Sequence, residues 1–103
     1  MALDERLAVE CAHWVAQQMS EEFGGFLPGE IVEGILDLEQ SIRAELGDPG
    51  LDHDTMARRL VAQLAEDGIP VGGYGQINQE LLVEMLHWED EFLGLAGQPR
   101  TTR

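Results

Sequence analysis

Apolar residues recur along this chain every three or four positions in four runs, and each run is closed by Gly or Pro. That spacing keeps side chains on one side of a 3.6-residue helix. It predicts four amphipathic helices, over about 3–22, 28–46, 52–67 and 78–94. The last run is the richest in large side chains. Ile77, Leu81, Met85, Trp88, Phe92 and Leu95 fall on one stripe, Leu82, Leu93 and Ala96 widen it, and Glu80, Glu84, His87 and Glu91 line its flank.

In the first helix Leu3, Leu7, Cys11, Trp14, Val15 and Met19 share a face that stops at Phe23-Gly24-Gly25. The second opens near Pro28, turns Ile31, Ile35, Leu38, Ile42 and Leu46 inward with Val32 and Leu36 beside them, and is stopped by Gly47 and Pro49. Asp52 or Asp54 can cap the third, which buries Met56, Ala57, Leu60, Val61 and Leu64, sends Arg58 and Arg59 outward and ends at Gly68 and Pro70. Asn78 is placed to cap the fourth. The stretch 69–77 carries Gly72-Gly73 between Val71 and Tyr74, but its flanks are too short for a hairpin and it reads as an ordered loop. The expectation is an all-α compact bundle of four helices, a single helical domain over 1–97 with a flexible polar tail at 98–103. The second helix, whose face is the most uniformly aliphatic, is the expected centre.

Composition narrows the function rather than the fold. A chain of 103 residues supports one core. The single Cys11 rules out an intrachain disulfide, no apolar run reaches about 18 residues, and the chain opens on acidic rather than basic residues, so a cytoplasmic protein is expected. With 20 carboxylates against six Arg and no Lys, the net charge of −14 repels nucleic acid and anionic membranes, and neither is expected as a partner.

The chemistry-bearing residues are few. Leu7 to Trp14 and Leu81 to Trp88 share the pattern Leu-x-Val-Glu-x-x-His-Trp, which uses both Trp and two of the three His. Each copy contains Glu-x-x-His, the unit that carboxylate-bridged dimetal bundles aim into their cores. Here Glu10/His13 and Glu84/His87 lie away from the apolar stripes, which argues against a buried site and leaves Glu84, His87 and Glu91 as a surface ladder for a divalent ion. Asp52-His53-Asp54 reads as a cap beside an exposed His. The segment is no calcium loop, lacking Gly at the sixth and Glu at the twelfth position. Cys11 sits on an apolar face, Ser20 and Ser41 lack a nucleophile-elbow setting, no phosphate loop is present, and Ser41 lies mid-helix rather than in an Asp-Ser-Leu carrier site. No enzyme activity, bound cofactor or stoichiometric metal is expected.

The fourth helix carries the remaining signal. Its apolar sector spans about 180°, against the roughly 100° that one packing layer needs. Leu82, Leu86 and Leu93 are therefore expected to form an uncovered edge, with Glu89 and Asp90 at its rim, that a homodimer would bury. The resulting expectation is a small acidic protein-interaction module that binds a protein partner or itself. The alternatives are a metal-binding helical protein using the Glu-x-x-His pairs and an acidic inhibitor that mimics DNA.

Overall fold

The computed structural model describes residues 5–24, 27–48, 50–71 and 77–98. It is an all-α bundle of α1 (Glu5–Phe23), α2 (Gly29–Leu46), α3 (His53–Glu66) and α4 (Gln79–Leu95). The helix ends follow local chemistry. The Asp52 carboxylate accepts from the Thr55 amide at 2.9 Å, and the Asn78 side chain accepts from the Leu81 amide at 2.9 Å, so each closes the first turn of its helix. Pro28 is the residue before α2 and its carbonyl accepts from Ile31 and Val32. At the other end Gly47 turns to φ 64°, and the Asp48 amide reaches back to the Arg43 carbonyl at 3.1 Å, a pairing that needs the left-handed residue between them.

Of the 69–77 loop, Val71 and Ile77 form an isolated parallel bridge and both pack on the core. Tyr74 lies outside the described residues, as do Leu3 and 99–103 of the tail. Among the described residues no helix is long and apolar enough to cross a membrane.

α1 packs on α2 and on α4, α4 also packs on α3, and α2 and α3 scarcely meet. The centre is thus the pair α1 and α4, formed by the first and last helices, and not α2. The core they enclose is built from Val15, Met19, Val32, Met56, Leu60, Leu82, Met85 and Leu86, all fully buried.

Two helix faces differ from the sequence expectation. Leu82 and Leu86 are 0% exposed and Leu93 6%, so the edge expected to be free for a second copy is core, whereas Leu95, expected inside, is 76% exposed. The buried set Leu82, Met85, Leu86, Glu89 and Leu93 is the expected stripe turned by about 100°, one residue's worth of helix. The reason is the position of α4 between two neighbours. Trp88 and Phe92 meet Trp14 of α1 on one side, which leaves the Leu82/Leu86 side for the rest of the core. A wide apolar sector here marks a central helix. α2 is turned in the same sense: Ile31 and Leu46 are exposed, while Glu39 and Arg43 are buried beside Val32, Ile35 and Leu36.

Candidate functional site

The interior holds charged residues that the apolar pattern concealed. On α2, Glu39 and Arg43 are one helical turn apart, and the Arg43 Nε donates to Glu39 Oε2 at 2.8 Å. The same guanidinium, through Nη1, donates to the Leu51 carbonyl at 3.1 Å, which ties α2 to the segment leading into α3. Glu89 of α4 is 1% exposed and forms part of a cleft of about 190 Å³ that also touches Cys11, Leu36, Asp37 and Gln40. Glu89 was expected at a solvent-exposed rim; it is inside because α4 turns this side toward α1 and α2. A buried carboxylate with a hydrogen-bonded guanidinium one turn away satisfies the rule that interior charges come paired.

A second polar group joins α3 to α4. Asp52 is held by its bonds to the Thr55 amide and hydroxyl, so His53 opens the first turn of α3 with its ring directed inward. It is 8% exposed, not the surface His expected from Asp52-His53-Asp54, because α4 lies over that end of α3. His53 Nε2 is 2.6 Å from Asp90 Oδ2. With Asp90 ionised, Nε2 carries the hydrogen, and in the neutral imidazole Nδ1 is then a bare lone pair. That Nδ1 is buried and has no hydrogen-bond partner among the described residues. The His53 and His87 rings pack in a T-shaped arrangement, with centroids 4.9 Å apart and planes at 85°. Asp90, expected at a dimer rim, is therefore an intrachain partner with its side chain 28% exposed.

The Glu-x-x-His pairs are not brought together. Glu10 pairs with Arg6 at 3.4 Å, and His13 Nε2 lies 3.8 Å from Glu33, both at the surface. His87 and Glu91 are exposed and Glu84 is half-buried, and the neighbour of His87 is His53 rather than either ladder carboxylate. Among the described residues no group of three or more His, Cys, Asp and Glu side chains converges as a metal cage. The two Trp that share the repeated pattern do meet, edge to face at 5.7 Å and 72°, and the Trp88 indole N–H donates to Glu22 at 2.8 Å.

A cleft of about 710 Å³ is bordered by Glu22 of α1, Asp54 of α3 and Gln79, Glu80, Val83 and Glu84 of α4, so four carboxylates from three helices surround it. Sequence reasoning missed both interior groups. Charges beside an apolar stripe ordinarily mark its solvent edge, and the one local signal for the first group is the i, i+4 spacing of Glu39 and Arg43 on the aliphatic side of α2. His53 and Asp90 lie 37 residues apart, and nothing local pairs them. No family model matches the chain, and neither a curated protein nor a solved structure matches it.

Proposed function

We propose that this protein is a small acidic helical module that works by binding another protein, one that presents a cationic surface. The observation that supports this reading is the carboxylate-bordered cleft at Glu22, Asp54, Glu80 and Glu84, which is open to solvent and has no cation among its described lining residues. Opposite charge steers such a partner and sets its orientation, and this chain as a whole carries −14. The apolar side chains that the sequence offered for self-association are spent on the core.

The test uses two baits, the wild-type chain and Glu80→Arg/Glu84→Arg, which reverses charge at exposed or half-buried positions without touching the core. A stoichiometric protein retained by the wild type from its native cell, released by about 0.5 M salt and lost by the reversed bait supports the reading. Retention of that protein by both baits, or no stoichiometric protein at all, refutes it.

A further inference from the structure

We infer that His53 and His87 form a capture site for one borderline divalent transition-metal ion such as Zn²⁺, with Asp90 as the group that positions His53. Three observations centred on His53 agree. First, the Asp90 carboxylate lies 2.6 Å from His53 Nε2, and in the neutral ring a hydrogen held there leaves Nδ1 as the ligating lone pair, the arrangement by which carboxylates orient metal-bound imidazoles. Second, that Nδ1 is buried with no hydrogen-bond partner among the described residues, an arrangement that a bound cation would satisfy. Third, the separation of the rings suits a shared ion. Zn–N bonds of about 2.1 Å at a tetrahedral angle put two imidazole centroids about 5.3 Å apart. The observed 4.9 Å is within a few tenths of an ångström of that, and His87, being exposed, can turn a nitrogen toward Nδ1.

Two imidazoles make a half-built coordination sphere, with water in the remaining positions. The ion reaches the site from the His87 side, which is open to solvent. Imidazole donors favour Zn²⁺, Ni²⁺ and Cu²⁺ over Mg²⁺ and Ca²⁺, which want oxygen. This site shares only His87 with the Glu84/His87/Glu91 ladder and stands independently of the protein-binding reading, since the acidic cleft contains neither His.

The chain's three His allow a direct test, because His13 is an internal control. The full chain is titrated with ZnCl₂, following the ring nitrogens by long-range ¹H–¹⁵N NMR and the stoichiometry by calorimetry. The expected result is one Zn²⁺ per chain, His53 protonated on Nε2 before addition, and saturable shifts at His53 Nδ1 and at His87 with His13 unmoved. His87→Ala, a surface change that leaves far-UV circular dichroism intact, lowers affinity more than tenfold, and Asp90→Asn lowers it about 10–100-fold. The inference is overturned by unsaturated binding at millimolar Zn²⁺, by equal shifts at His13, or by wild-type affinity in His87→Ala.

Discussion

Removing the Arg43 guanidinium leaves Glu39, which is fully buried, without the cation bonded to it at 2.8 Å. Loss of one partner of an interior ion pair costs about 3–5 kcal/mol, whereas replacing both by apolar groups of similar volume is often neutral. Arg43→Met should therefore lower urea-unfolding stability by about 3–5 kcal/mol, and Glu39→Leu/Arg43→Met should restore most of it. If the double variant is as weak as the single one, the Arg43 bond to the Leu51 carbonyl, and not the ion pair, is what matters. Leu86 is the other informative residue. Fully buried between α4 and the rest of the core, it should cost about 2–5 kcal/mol as Leu86→Ala. Leu86→Glu should fail to fold, where an exposed dimer edge would have given a folded monomer.

The helix starts make predictions of their own size. Asp52→Ala and Asn78→Ala each remove a side-chain acceptor of a first-turn amide and should each cost about 0.5–2 kcal/mol, measured by thermal unfolding. Asp52→Ala should lie at the upper end, because it also loses the Thr55 hydroxyl and slackens the turn that sets His53. At this scale the sequence was a good guide to existence and ends. Asn78 and Asp52 cap where short polar residues precede an apolar run, and Gly47 stops α2 where a left-handed residue is needed. Orientation was less legible. Periodicity places the apolar side of a helix only as well as charge marks the other side, and Glu39, Arg43 and Glu89 break that assumption in the two helices that came out rotated. Most of the His53–Asp90–His87 group was equally hidden, since a His at the start of α3 and an Asp within α4 signal nothing to each other until tertiary packing joins them.

For the molecule as a whole, −14 charges on a small bundle repel one another, and the compact state bears that repulsion more than the unfolded chain does. Raising NaCl from about 10 mM to 0.3 M should shift the urea midpoint upward with little change in slope. A midpoint that falls would mean that attractive pairs such as Arg6–Glu10 outweigh the net charge. Labelled duplex and single-stranded DNA should show no saturable binding even at about 50 mM salt, where electrostatic affinity is greatest. The arrangement of helices has a further consequence for how the chain can be watched. Its only two Trp lie on the first and last helices and touch each other at 5.7 Å. Two indoles that close and steeply inclined couple their electronic transitions, so the native state should carry an exciton couplet in circular dichroism that vanishes in Trp14→Phe. The molecule thus contains an optical reporter for one event, the meeting of α1 and α4, and stopped-flow traces of that couplet against the helical signal would time the closing of the chain on itself separately from the winding of its helices.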